Sequence, residues 1–246
     1  VVIPPIVVGH RGAPTAFPAN TLAGFAHAFA LGCTMVECDI RRSADGTLVL
    51  AHDETVTDRA GNAHRIAQTT AAELAALDLG AGDGVPTLDA LVRWAADSGC
   101  ALMADMKAWG DGVEEATVTS LSALPPALKL VPGAPPTSRA RFRTLDPALP
   151  LSLSMGEALV DAAFDALLPT IDTEAVTWHH TMLNPARIRA LQARGLRVFA
   201  WTVDDEPTMA ALLAAGVDGI ISNRPDLLRT RTASRRLAPH EGEAQR

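Results

Sequence analysis

The stretch MVECDIRRSADGTLVLAHD, residues 35–53, decides the fold. Its first six residues, 35–40, form an apolar-rich run that reads as a buried strand. Asp45 before Gly46 reads as a turn, and LVLA at 48–51 as the next strand. Glu37 and Asp39 stand at i and i+2, so both carboxylates share one face of the first strand. The second strand runs directly into His52 and Asp53. Polar side chains gathered where short apolar strands end are what a parallel α/β barrel presents at its mouth.

Working outward, the same arrangement recurs. IVVG at 6–9 leads into His10, Arg11 and Gly12, and ALMADM at 101–106 carries Asp105, with Lys107 two residues on. Further strands are expected at 196–203 and 219–222. Between them lie Ala/Leu-rich amphipathic stretches at 20–31, 71–77, 88–98, 113–124, 185–194 and 207–215. Asn20 reads as the N-cap of the first, and Gly32, Gly195 and Gly216 as helix stops. Strand and helix alternate as in a parallel sheet with crossover helices, and six of each in register favour a (β/α)₈ TIM barrel over an open sheet. The two remaining strands are expected within 128–178, where Pro125, Pro126, Pro132, Pro135 and Pro136 are expected to break any regular element. Residues 54–86 are too long for a barrel loop and read as a small lobe inserted after the third strand, carrying one helix. The barrel is assigned residues 1–228, and the polar, Arg-rich stretch 229–246 reads as a mobile tail.

Composition narrows the function. A chain of 246 residues with 48% apolar side chains can bury one large core. A net charge of −7 argues against a nucleic-acid surface, which concentrates Lys and Arg. Cys33, Cys38 and Cys100 are an odd number and read as small buried residues in a reducing compartment. With no run of about 20 apolar residues, stable membrane insertion is not expected. A cytoplasmic location is the expectation, compatible with a removed leader because the chain starts without Met.

One strand-end histidine is most often a structural residue. Four successive strand ends bearing His10, Glu37 with Asp39, His52, and Asp105 with Lys107 are harder to read that way. Converging carboxylates repel and tend to hold protons, a conflict that a hard cation resolves. The oxygen donors of Glu37, Asp39 and Asp105 suit one divalent cation, Mg²⁺ or Ca²⁺, better than Zn²⁺. His10 and His52 would flank a bound anion as general acid and base, with Arg11 and Lys107 on its oxygens. Trp201 either walls a pocket for the alcohol or fills the barrel top, and His179 and His180 receive no role.

HRGA at 10–13, PANT at 18–21, ECD at 37–39, DG at 45–46 and HD at 52–53 resemble the signature of the glycerophosphodiester phosphodiesterase family. The resemblance continues through VPTLDAL at 85–91, DMK at 105–107, WTVD at 201–204 and GVDGIISNRPD at 216–226. It implies a metal-dependent enzyme that cleaves a small-molecule glycerophosphodiester to glycerol phosphate and an alcohol. His10 and His52 would be the acid–base pair, Glu37, Asp39 and Asp105 the metal ligands, and Arg11 and Lys107 the phosphate contacts. The family usually has Glu where this chain has Ala19, and commonly Glu where it has Asp105. Its serine-aromatic motif on the fifth strand is not recognisable here. These departures imply that Arg11 lacks a supporting carboxylate and that the third ligand is one methylene shorter. Two rivals are a phospholipase on a lipid phosphodiester, for which no amphipathic Trp/Phe-faced segment is apparent, and a phosphodiester-binding barrel without turnover, against which both histidines and all three acids argue.

Overall fold

In the computed structural model, which describes residues 4–80, 82–156, 166 and 168–228, eight parallel strands form the barrel. They are β1 (Ile6–His10), β2 (Met35–Arg42), β6 (Ala101–Met106), β7 (Lys129–Leu130), β8 (Ser152–Met155), β9 (Ala175–His179), β10 (Arg197–Trp201) and β11 (Gly219–Ser222). Their order is β7-β6-β2-β1-β11-β10-β9-β8. The ring closes through a single parallel bridge between Val131 and Leu151, in which Val131 N–H donates to Pro150 O and Ser152 N–H to Val131 O, each at 2.9 Å. The crossovers include α1 (Leu22–Ala30), α3 (Leu88–Ser98), α4 (Val113–Leu121), α5 (Pro136–Leu145), α6 (Pro185–Gln192) and α7 (Glu206–Ala215). The expected tail at 229–246 lies outside the described residues.

Side-chain parity positions the site. Val8, Met35, Ala101, Met103, Leu130, Ala175, Phe199 and Ile221 form one buried apolar cluster drawn from seven strands, the plug of the barrel. Two residues further along their strands, on the same face, stand His10 after Val8, Glu37 after Met35, Asp105 after Met103 and Trp201 after Phe199. A second, larger core fills the space between the outer strand faces and the helices, with Phe25, Leu91, Leu102, Phe142, Ile188 and Met209 among its members.

Helix α3 shows how the sequence encodes this layer. Leu88, Leu91, Val92 and Ala95 repeat at helical spacing on its buried face. The Thr87 hydroxyl caps its start by accepting from Ala90 N–H, and Gly99, at φ +73°, ends it in the left-handed conformation.

Several expectations need correction. The strand at 48–51, β3 (Leu48–Leu50), pairs antiparallel with β2, Ile40 against Leu50 and Arg42 against Leu48, and stands outside the ring. The barrel therefore takes three strands, β7, β8 and β9, from the region expected to give two. The proline-rich segment also holds a helix, because Pro136 occupies the first turn of α5, where its missing N–H costs no hydrogen bond. Asn20 does not cap α1; the Thr21 hydroxyl does, accepting from Gly24 N–H at 3.2 Å.

The inserted lobe follows β3 as expected. It holds an antiparallel hairpin, β4 (Thr55–Thr57) with β5 (Ala63–Arg65), and one short helix, α2 (Ala71–Ala75), started by a Thr70–Glu73 capping box. Val49, Ala51, Ile66, Ala71, Leu74 and Val85 form its own core.

The turn after β1 depends on Gly12. Its φ is +89°, and a Cβ there would lie 2.6 Å from the carbonyl carbon of Gly24. Gly12→Ala is expected to cost at least about 2 kcal/mol, read as a fall in Tm of roughly 4–8 °C; an unchanged melting curve would show that the turn can open without loss.

Candidate active site

Strand register brings the candidate residues together. His10 on β1 pairs with Glu37 on β2, and Asp39 on β2 with Asp105 on β6. Seven of the eight candidates, His10, Arg11, Glu37, His52, Asp105, Lys107 and Trp201, line one cleft of about 580 Å³. The eighth, Asp39, is only 1% exposed and meets the cleft through its ion pairs with Arg11 and Lys107.

Each buried carboxylate is held by named donors. Arg11, at φ +53°, donates its backbone N–H to Glu37 Oε2 at 3.0 Å and places its Nε 2.9 Å from Asp39 Oδ2. Asn20, at φ +62°, clamps Asp39 from both ends: its Nδ2 donates to Asp39 Oδ2 at 2.9 Å, and its Oδ1 accepts from Asp39 N–H at 3.1 Å. Lys107 Nζ lies 2.6 Å from Asp105 Oδ2 and 3.3 Å from Asp39 Oδ1. Arg11 and Lys107 thus set positive charge against the acids. Arg11, lacking a carboxylate at Ala19, leans on Asp39 instead.

The two histidines arrive by different routes. His10 ends a barrel strand, and its Nδ1 lies 2.7 Å from Asn223 Oδ1. His52 comes from the return arm of the β2–β3 hairpin, which Ala51 N–H ties to Asp39 O at 3.0 Å. Its carbonyl accepts from Arg41 Nε at 2.8 Å, and its Nδ1 lies 2.8 Å from Asp53 Oδ1. Asp53 thus orients its neighbour, and that hydrogen bond holds its carboxyl below the usual value. Sequence reasoning missed Asn20, Arg41 and Asn223, although Asn20 and Asn223 fall within the PANT and SNRPD motifs. His179, at the end of β9, meets the Trp201 ring edge-on at 5.4 Å and stacks on His180 at 4.7 Å.

A sequence profile of the glycerophosphoryl diester phosphodiesterase family matches residues 10–227. The chain belongs to that family. YhdW of Bacillus subtilis is 30% identical over 240 residues, covering 90% of this chain and 96% of its own. A glycerophosphodiester phosphodiesterase of Caldanaerobacter subterraneus is 28% identical over 236 residues, covering 91% and 96%. Among solved structures, a phosphodiesterase of Oleispira antarctica in complex with the product sn-glycerol-3-phosphate superposes with a TM-score of 0.81 at 26% identity, covering 94% of this chain and 97% of that one. The Thermotoga maritima glycerophosphodiester phosphodiesterase, at 21% identity and a TM-score of 0.77, shares the fold over 92% of this chain and 98% of its own.

Burial sets the electrostatics of this family member. It pushes Glu37 well above the ordinary carboxylate value, reinforced by the charges of Asp39 and Asp105 and opposed by Arg11. Asp105 is raised by the same cause, against the pull of Lys107. Burial lowers His10, and Arg11 adds to the effect while the bond to Asn223 opposes it, so the imidazole is held toward its neutral form. Burial also acts against the charge of Lys107, but Asp105, Asp39 and Glu37 outweigh it and raise its pKa.

Glu37, Asp39 and Asp105 can each offer an oxygen to one metal ion, these atoms lying within 4.8 Å of one another. Among the described residues Asp39 Oδ1 is buried without a hydrogen bond, with the Lys107 Nζ cation 3.3 Å away. Hard oxygen donors, one of them unsatisfied, fit a divalent cation. Cys33, Cys38 and Cys100 are free and buried elsewhere.

Glu37 yields a stability prediction of definite sign. Its carboxyl ionises near 4.5 when exposed and well above that when folded, so it favours the fold less as pH rises through that window. In cation-free buffer, Glu37→Gln should therefore melt above the parent at pH 8, with the gap closing toward pH 4. Thermal melts across that range check it, and a parent more stable than the variant at pH 8 would contradict the assignment.

Proposed function

We propose that this cleft hydrolyses glycerophosphodiesters to glycerol phosphate and an alcohol, using one divalent cation, Mg²⁺ or Ca²⁺. The observation that carries the reading is the meeting of two imidazoles with a cluster of three carboxylates, of which Glu37 and Asp105 line the same cleft and Asp39 is joined to it by ion pairs. The Oleispira relative with its glycerol phosphate supports the choice of substrate.

In this reading Glu37, Asp39 and Asp105 hold the cation, which when bound supplies positive charge against a phosphate oxygen. Arg11 and Lys107 offer donors to the other phosphate oxygens; Lys107 can turn from Asp105 toward a bound anion, and the Arg11 fork can bridge Asp39 and phosphate. His10, held toward neutrality, accepts a proton at Nε2 from the nucleophile, either a neighbouring hydroxyl of the substrate or a water. His52, protonated, gives a proton to the leaving alcohol oxygen as its bond to phosphorus breaks; where a substrate hydroxyl attacks, water then opens the cyclic phosphate, with the two imidazoles exchanging roles. Trp201 walls the pocket beside these groups.

Release of glycerol phosphate from glycerophosphocholine and related diesters tests the reaction, and no release from any of them would overturn it. Chelation should abolish turnover and lower Tm, because a cation bound to the native state alone stabilises it by mass action. Full turnover in excess chelator would remove the cation from the scheme. His10→Ala and His52→Ala should each lower kcat/KM by at least ~10²-fold; a His52→Ala enzyme within tenfold of the parent would place the acid elsewhere.

A further inference from the structure

In two motifs, WTVD at 201–204 and SNRPD at 222–226, Asp204 and Asn223 remain without a role in this scheme, and hydrogen bonds join them behind His10. Val203 N–H donates to Ile221 O at 3.0 Å, so the chain ends beyond β10 and β11 run side by side. Asp204 then accepts three hydrogen bonds: from Asn223 N–H at 2.8 Å, from Asn223 Nδ2 at 2.7 Å and from Ser222 Oγ at 3.1 Å.

The chemistry of these donors and acceptors leaves one arrangement. A carboxylate only accepts, so the Asn223 amide must turn its NH₂ toward Asp204. Its oxygen then faces His10, 2.7 Å from Nδ1. An amide oxygen cannot donate, so Nδ1 must carry the hydrogen. In the neutral imidazole Nε2 is then left bare. That nitrogen lies 3.8 Å from Glu37 Oε2, too far for a hydrogen bond, in a ring that lines the cleft.

We propose that Asp204, acting through Asn223, is a positioning residue that fixes the tautomer and ring orientation of His10 so that Nε2 is its reacting nitrogen. This rests on the assignment of His10 to proton transfer. It differs from a simple staple between the ends of β10 and β11, because a staple would leave the state of the His10 ring unchanged.

Ring-¹⁵N-histidine spectra and steady-state kinetics on glycerophosphocholine test both parts, with His10→Ala identifying the His10 signals. The wild-type protein should show a protonated Nδ1 and a bare Nε2. Asp204→Ala frees the amide to turn, and Asn223→Ala removes the acceptor, so both should move His10 toward an Nε2–H population. Both should also lower kcat about 10- to 100-fold, as loss of an orienting partner commonly does, with KM within about twofold. Should Asp204→Ala fail to fold, Asn223→Ala, which leaves Asp204 its bonds to Ser222 Oγ and the backbone, carries the test.

In a His10→Ala background, adding Asp204→Ala should change kcat by less than about twofold. An equal loss with and without His10 would reduce Asp204 to a staple and overturn the proposal, as would a wild-type spectrum showing Nε2–H. A His10→Ala enzyme within tenfold of the parent, with Nδ1–H still seen in the wild type, would sink the proton-transfer role of His10 while upholding the hydrogen-bonded chain.

Discussion

Two carboxylates taken almost wholly out of water, Glu37 at 4% and Asp39 at 1% exposure, are the constraint around which the mouth of this barrel is built. Each removal is costly unless donors and positive charge replace the lost solvent. The neighbouring elements do so in turn: the β1–α1 segment contributes the Arg11 backbone and guanidinium and the Asn20 amide, and β6 leads into Lys107. Two non-glycine residues, Arg11 and Asn20, adopt positive φ in this segment. Backbone in that region is held only where surrounding contacts over-determine it, and here both residues are tied to the buried acids.

Much of this was legible in the sequence because strand parity is a strict rule. Once 35–40 is a strand with one face inside a barrel, Glu37 and Asp39 must share that face, and the same holds for Asp105 after Met103. Strand direction is not written in the same way. LVLA at 48–51 is as apolar as the barrel strands, and nothing in its composition separates a parallel wall from the antiparallel arm it forms. His52 was placed at the mouth for the wrong reason: the hairpin turns at Gly46 and returns the chain beside Asp39. The strands after residue 128 were harder for a physical reason. β7 has two residues, and the ring beside it closes through one bridge, too short a run to carry a periodicity. Asn20 read as a helix cap, and Asn223 drew no reading of its own, because an amide's role depends on what lies opposite it, which only tertiary structure decides.

The departures from the family pattern also become intelligible in three dimensions. The carboxylate of Asp105 is met by the backbone that follows β7. Gly133, at φ +74°, comes so close that a Cβ there would lie 2.9 Å from Asp105 Oδ1. The position is therefore closed to side chains on two counts, conformation and contact. Alongside, β6 keeps its register with β2 unbroken from Met35 against Ala101 to Ile40 against Met106. Arg11 also shares Asp39 with Asn20 and Lys107, so that one buried acid faces an amide donor and two cations.

The two histidines are oriented by one device built on unlike supports. Each presents Nδ1 to an oxygen, Asn223 Oδ1 for His10 and Asp53 Oδ1 for His52, and an oxygen that only accepts leaves Nε2 as the nitrogen free for other chemistry. His10 is fixed by two strands of the closed ring, β1 and β11, paired in register from Ile6 against Gly219 to Gly9 against Ser222. His52 stands on an arm whose preceding residues, Val49 and Ala51, belong to the small core of the inserted lobe. The separation between the two imidazoles is therefore set by how that lobe packs on β2, through the Ala51–Asp39 and Arg41–His52 hydrogen bonds. A lobe that stands outside the ring thus becomes inseparable from the site, because the hairpin arm that carries His52 packs into its core.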